Sequence, residues 1–388
     1  LVVGLAEASE GEVLVGLPDV LGTSFSKALG GELADLARRL GGSAKTGRTV
    51  LVPGPNGLRV VVVGLGPIDV TPEEVRRAAG AAVRLVASLG APAPQTVTIS
   101  LEATEPQVIK GAAEGALLGA YSYRPAAPDA AGVGQIVLVS SNKRTEAKQA
   151  LDLAVITAQA VVTARDWVNT PANLLYPDSF AESAKALARS AKLTAEVWDD
   201  KALEKEGFGG IMAVGGGSDH KPRLVKLSYA PRGARFHLAL IGKGITFDTG
   251  GLNLKPADGM YTMKTDMAGA AAVLAAVVAI AELGLRIRVT AWAAMAENMP
   301  SGGSYRPSDV LTMYGGKTVE NGNSDAEGRI VMADALVKGS QEQPNLVLDV
   351  ATLTGACMVA LGERVAGLMA RDDATADLIL DAAEAAGE

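Results

Sequence analysis

Cysteine and histidine are nearly absent. The 388 residues include one cysteine, Cys357, and two histidines, His220 and His237. A single cysteine excludes an internal disulfide framework and any cysteine-built zinc site, and it fits a reducing compartment, so the expected location is cytoplasmic. With two histidines, a histidine-built metal centre or a Ser-His-Asp triad lacks parts, and any bound metal must rely mainly on oxygen ligands. An excess of basic charge is also missing. The net charge of −7 and pI near 5.2 give no general attraction to phosphate backbones and argue against nucleic acid as the main partner. Long apolar runs are lacking as well: MAGAAAVLAAVVAIA, residues 267–281, has 15 residues. That is short of the roughly 18 to 20 needed to span a bilayer, so a buried core helix is expected and no membrane association. The opening LVVGLAEASEGEVLVGL has no basic n-region, and no secretory signal is visible. Nucleotide loops fail too. GGKT at 315–318 would need its first glycine at Leu311, and VVVGLGPID lacks the third glycine of a dinucleotide fingerprint.

What is present is apolar residue in quantity, 48% of the chain, enough for two cores. Short β-branched runs alternate with Ala-rich helical stretches, the pattern of an α/β protein with a mainly parallel sheet. An N-terminal α/β domain is expected over 1–142. Its strands lie near LRVVVVGLG, TVTISLE and GQIVLVSS, and its helix TPEEVRRAAGAAVRLVASLG is opened by a capping box of Thr71 and Glu74. TEAKQALDLAVITAQAVVTARDWVNT has helical spacing without Gly or Pro and predicts a connecting helix over 143–170, stopped by Pro171. A C-terminal α/β domain over 171–388 follows, with strands near RLVKLSYA, RFHLALIG, RIRVTAWAAMAE and NLVLDVATLTG. Ligands of open α/β sheets bind at the carboxyl ends of strands, and polar or Gly-rich residues end the last three.

Two of these stretches carry unusual charge. GKGITFDTGGLNLKPADGMYTMKTDMAGAA, 242–271, leaves an apolar strand, passes Lys243, Asp248, Lys255 and Asp266, and enters the most apolar helix, with Asp266 expected in its first turn. NSDAEGRI, 323–330, holds Asp325 and Glu327 two residues apart. In an extended segment that spacing turns both to one side. Taken singly, these residues read as a buried ion-pair network or a helix cap. As a set, Asp248, Asp266, Asp325 and Glu327 match in charge two divalent cations of the oxygen-preferring kind, Mn²⁺, Mg²⁺ or Zn²⁺, because unpaired buried charge costs several kcal/mol. Paired metals of this kind form a known hydrolytic arrangement.

GKGITFDTGGLNLKP and NSDAEGRI, in this order, resemble the signature segments of the leucyl aminopeptidases, the M17 metallopeptidase family. The family's usual NTDAEGRL differs only by Ser324 for Thr and Ile330 for Leu. WVNTPANLLYP, AENMPSGGSYRPSDVLTMYGGKTVE and LDVATLTGA agree as well, so the resemblance covers essentially the whole second domain.

The resemblance implies a tight metal site of Lys243, Asp248, Asp266 and Glu327. It implies a second, exchangeable site of Asp248, Asp325 and Glu327, with the Asp325 carbonyl contributing. Two divalent ions per subunit are implied, Mn²⁺ or Zn²⁺, with Mg²⁺ or Co²⁺ as alternatives. Lys255 is implied as the group that hydrogen-bonds the scissile carbonyl, and Arg329 as the holder of a bicarbonate. Met263, Thr352 and Gly355 are implied to line an apolar pocket for the first side chain. The substrates would be peptides with a free N-terminus, cleaved preferably after leucine or another apolar residue, by a homohexamer. The family continues beyond the position of Glu388 with segments that complete pocket and subunit contacts, and YSYRPAAPDAAGVG, 121–134, reads short for its place. The competing expectations are a DNA-binding or architectural role and a dipeptidase such as a Cys-Gly hydrolase.

Overall fold

The computed structural model describes residues 1–17, 22–23, 26–27, 31–90, 95–123 and 133–388, so most of the stretch 121–134 lies outside the described residues. The chain divides into two compact units, Leu1–Val162 and Thr163–Glu388, and the division falls inside the helix Arg144–Asn169.

In the first unit, β1 (Val2–Ala8), β2 (Gly11–Val15), β3 (Thr49–Pro53), β4 (Arg59–Pro67), β5 (Gln95–Ser100) and β6 (Val133–Leu138) form one mixed sheet. Its order is β3-β4-β1-β5-β6, with β2 also beside β1. Alternation along the strands assigns the two faces. Val2 and Ala6 of β1, with Val61 and Val63 of β4, pack in the core that includes Val75, Ala82, Ile109 and Ala116 from the helices Pro72–Ser88 and Pro106–Ala120. Val3 and Leu5, with Val60 and Val62, pack against Leu33 and Ala37 instead. The helix at Pro72 begins with the capping box read from the sequence. Glu74 N donates to Thr71 Oγ1 at 3.2 Å and Thr71 N to Glu74 Oε2 at 2.8 Å.

The second unit is built on a five-stranded sheet of order β13-β9-β10-β8-β7, from β7 (Thr194–Trp198), β8 (Arg223–Tyr229), β9 (His237–Asp248), β10 (Arg288–Asn298) and β13 (Leu346–Val350). A hairpin of β11 (Val310–Thr312) and β12 (Thr318–Glu320) stands apart from it. β13, β9 and β10 are parallel, whereas β8 runs antiparallel between β10 and β7. The sheet is therefore mixed, although β8 alone opposes the common strand direction. β9 is buried over nearly its whole length, as a central strand covered on both faces must be.

The helix Ala268–Glu282 covers one face. It buries Val273, Leu274, Val277 and Val278 among others, each contributing roughly 1.5–3 kcal/mol. Helix propensity differs by at most about 0.7 kcal/mol per ordinary residue, so burial rather than propensity sets where this apolar run sits. The helix Glu327–Ser340 covers the opposite face through Ile330, Val331 and Ala335, packed with Ile241, Ile245 and Trp292.

Candidate metal centre

β9 reaches the carboxyl edge of the sheet with Lys243 and Asp248, five residues apart. In a regular strand an odd separation puts two side chains on opposite faces. Here the pairing with β10 shifts between Ala296↔Ile245 and Glu297↔Phe247, so Thr246 is an extra residue on β9. This bulge restores the parity and turns Asp248 to the face that carries Lys243. Thr249-Gly250-Gly251 then reverses the chain, with Gly250 and Gly251 at φ +85° and +65°, a backbone other residues rarely adopt. Lys255 returns over the strand end, where its N–H donates to Thr249 O at 2.9 Å. Asp325 lies in a 3₁₀ turn, Ser324–Ala326, and Glu327 opens the helix Glu327–Ser340.

These elements bring six charged side chains together. Carboxylate oxygens of Asp248, Asp325 and Glu327 lie within 4.8 Å of one another. Lys243 Nζ is 2.8 Å from Glu327 Oε1 and 2.9 Å from Asp266 Oδ1, and it donates to Thr352 O at 3.0 Å. Lys255 Nζ is 2.9 Å from Asp248 Oδ2 and 2.5 Å from Asp325 Oδ1. The Lys243 and Glu327 side chains are 2% and 3% exposed, while Asp325 is 32% exposed, so the cluster is deep at one end and open at the other.

Four carboxylates face two ammonium groups, and the titration behaviour reflects the excess of negative charge. Burial opposes the Lys243 charge, but Asp266 and Glu327 outweigh it and hold the amine above its ordinary range. Lys255 is likewise raised against burial, by Asp325 and Asp248. Burial pushes the Asp266 carboxyl well above the usual carboxylate range, against the pull of Lys243, and Glu327 adds to the rise. Both rise, which keeps Lys243 charged but favours the neutral form of Asp266, and their 2.9 Å contact favours the ionised pair. Asp266 Oδ2 is buried without a hydrogen-bond partner among the described residues. A converging oxygen set with a buried, unpartnered carboxylate oxygen suits a hard or borderline divalent cation. Asp248, Asp325 and Glu327 could hold one ion, and Asp266 with a deprotonated Lys243 could supply further ligands.

Two expectations need correction. Asp266 is not in the first turn of the apolar helix. A 3₁₀ turn, Met263–Thr265, precedes it and the helix starts at Ala268, so Asp266 accepts from Lys243 and from Thr352 Oγ1, the latter at 2.7 Å. Asp325 and Glu327 do not sit in an extended segment. Their convergence comes from the 3₁₀ turn running into a helix.

The remaining residues are less gathered. Arg329 is exposed on the first turn of the helix Glu327–Ser340, with no ion pair among the described residues. Met263 is half-buried and begins the 3₁₀ turn before Asp266, while Thr352 and Gly355 are exposed. Thr352 joins the cluster through its carbonyl and hydroxyl.

Residues not singled out from the sequence also build the site. Asn298 Nδ2 donates to Asp248 Oδ1, and Tyr305 Oη to Ser324 O. Burial, with Glu327, Asp248 and Asp325 nearby, raises the Tyr305 phenol and keeps it a donor. The only sequence signal was their place in AENMPSGGSYRP, which spans the end of β10 and the loop after it.

This arrangement, a mixed α/β sheet with an acid-rich cluster at its carboxyl edge, is an oxygen-rich set of the kind that suits divalent cations. The descriptions "Cytosol aminopeptidase family, catalytic domain" and "Cytosol aminopeptidase family, N-terminal domain" match residues 162–388 and 2–125. The chain is 51% identical over 391 residues to a "Probable cytosol aminopeptidase" of Cutibacterium acnes, covering 100% of this chain and 76% of that protein. It is 47% identical over 409 residues to one of Streptomyces avermitilis, covering 100% and 78%. Among solved structures, "Bottromycin maturation enzyme BotP in complex with Mn" is similar with TM-score 0.83 and 39% identity, over 92% of this chain and 78% of that one. The chain belongs to the cytosol aminopeptidase family, the M17 metallopeptidases.

Proposed function

We propose that this protein releases N-terminal amino acids, preferably leucine or another apolar residue, from peptides by hydrolysis at two divalent metal ions, Mn²⁺ or Zn²⁺. The observation that carries the reading is the convergence of Asp248, Asp325 and Glu327 within 4.8 Å beside the buried Lys243 and the partly buried Lys255. Lys243, Asp248, Asp266 and Glu327 would hold one ion. Asp248, Asp325 and Glu327, with the Asp325 carbonyl, would hold the other. Such ions polarise a carbonyl and make bound water nucleophilic near neutral pH.

The chain's own groups do the rest. The Lys255 ammonium, at the open end between Asp248 and Asp325, donates to the scissile carbonyl oxygen as negative charge develops on it. Arg329, exposed on the first turn of the helix Glu327–Ser340 and unpaired among the described residues, would hold a bicarbonate, which would supply general-base chemistry beside the carboxylates. Met263, Thr352 and Gly355 bound the space for the first side chain, and the Thr352 link to Asp266 ties that space to the ligands. A cytoplasmic homohexamer is proposed by analogy with the family.

The test is release of p-nitroaniline from leucine p-nitroanilide by chelator-stripped protein. No release before metal is expected, and release after Mn²⁺ or Zn²⁺ is added. Protein that binds metal but releases nothing contradicts the reading, and faster turnover of Cys-Gly than of leucine substrates redirects it to a dipeptidase.

A further inference from the structure

Asn298 ends β10 opposite Asp248, the last residue of β9, and is 1% exposed. Its Nδ2 donates to Asp248 Oδ1 at 2.8 Å and to Ser324 O at 3.0 Å. These acceptors belong to the two separate segments that supply the acidic trio, since the Ser324 carbonyl immediately precedes Asp325. Tyr305 Oη donates to the same carbonyl at 2.8 Å, so both of its lone pairs are engaged. Asn298 O accepts from Thr249 N at 3.0 Å and Thr249 Oγ1 at 2.7 Å, which fixes the turn after Asp248 as well.

We infer that Asn298, with Tyr305 as the second donor to the Ser324 carbonyl, is a positioning residue that sets the spacing of Asp248 from Asp325 and Glu327. The inference rests on the metal-binding reading above. Three carboxylates this close repel one another, and something must hold their parent segments together. A neutral amide does so without adding positive charge that would compete with a cation. It also orients the Asp248 carboxylate: Oδ1 is taken by Asn298 and by Gly250 N, the latter at 2.8 Å, while Oδ2 points to Lys255. Groups that orient ligands from behind in this way typically change metal affinity 10- to 100-fold when removed.

The experiment is a Mn²⁺ titration followed by the electron paramagnetic resonance signal of free Mn²⁺, for wild type, Asn298→Ala, Tyr305→Phe and Asn345→Ala. The last removes an amide contact at the opposite end of β9, where Asn345 Oδ1 accepts from His237 N at 2.8 Å. The expected result is a Mn²⁺ dissociation constant raised about 10- to 100-fold by Asn298→Ala and less by Tyr305→Phe, with Asn345→Ala at the wild-type value. Wild-type affinity in Asn298→Ala overturns the inference, as does an equal loss in Asn345→Ala, which would mark general destabilisation. If Asn298→Ala does not fold, Tyr305→Phe decides, and wild-type affinity there overturns it. Wild type that binds no Mn²⁺ overturns the metal reading and this inference with it, a result visible before any variant is compared.

Discussion

Lys255→Ala is expected to lower kcat on leucine p-nitroanilide by about 10²- to 10³-fold while leaving the bound Mn²⁺ unchanged, since removal of one oxyanion donor has effects of that size. The geometry makes the split between rate and metal content informative. Lys255 Nζ touches Asp248 and Asp325, so its charge acts on both. Were it only a neutralising partner, its removal would leave more negative charge beside the ions and tighten them, with no loss of rate at saturating metal. A donor to the developing oxyanion behaves otherwise: metal stays and turnover falls. Steady-state kinetics with metal analysis on the same preparation separates the two, and an unchanged kcat removes Lys255 from the chemistry.

Gly328→Ala is expected to weaken Mn²⁺ binding at least about 10-fold and to lower the unfolding free energy by about 1–3 kcal/mol, the usual range for overpacking a filled core. A Cβ at this position would stand 2.7 Å from Lys243 Cε and 2.8 Å from Lys243 Nζ. The amine cannot swing aside without losing Asp266, Glu327 and the Thr352 carbonyl, which surround it at 2.8–3.0 Å. The added methyl therefore displaces the ligand atom itself. Calorimetric Mn²⁺ titration and denaturant unfolding read the two effects, and wild-type values in both would mean that the Lys243 position is not critical.

Local chemistry in this chain was legible from sequence, and long-range register was not. The capping box of Thr71 and Glu74, the strands that became β8, β9, β10 and β13, and the buried apolar helix at Ala268 each follow from patterns a few residues long. The charged residues that cluster were recognisable because so many carboxylates and lysines are rare within apolar stretches. Their geometry was less readable. The bulge at Thr246, which places Lys243 and Asp248 on one face, depends on how β10 pairs with β9 and leaves no mark in the spacing. The spacing of Asp325 and Glu327 suits a strand in isolation, yet Asn323 accepts from Asp325 N at 2.8 Å and starts a 3₁₀ turn instead. The contacts of Asn298 gave no local signal, since its partners lie 50 and 26 residues away along the chain. Cys357, which reads as a small buried hydrophobe, is only half-buried, in a short helix without buried residues.

The central claim is that one set of side chains holds two catalytic ions, with Glu327 serving both. Counting Mn²⁺ per chain by mass spectrometry of the eluted metal, in wild type and in Glu327→Ala after equal dialysis, tests it most directly. Two ions per wild-type chain, with loss of both in Glu327→Ala, is the expected result. Retention of both ions by Glu327→Ala, or a wild-type chain that holds none, would contradict the claim.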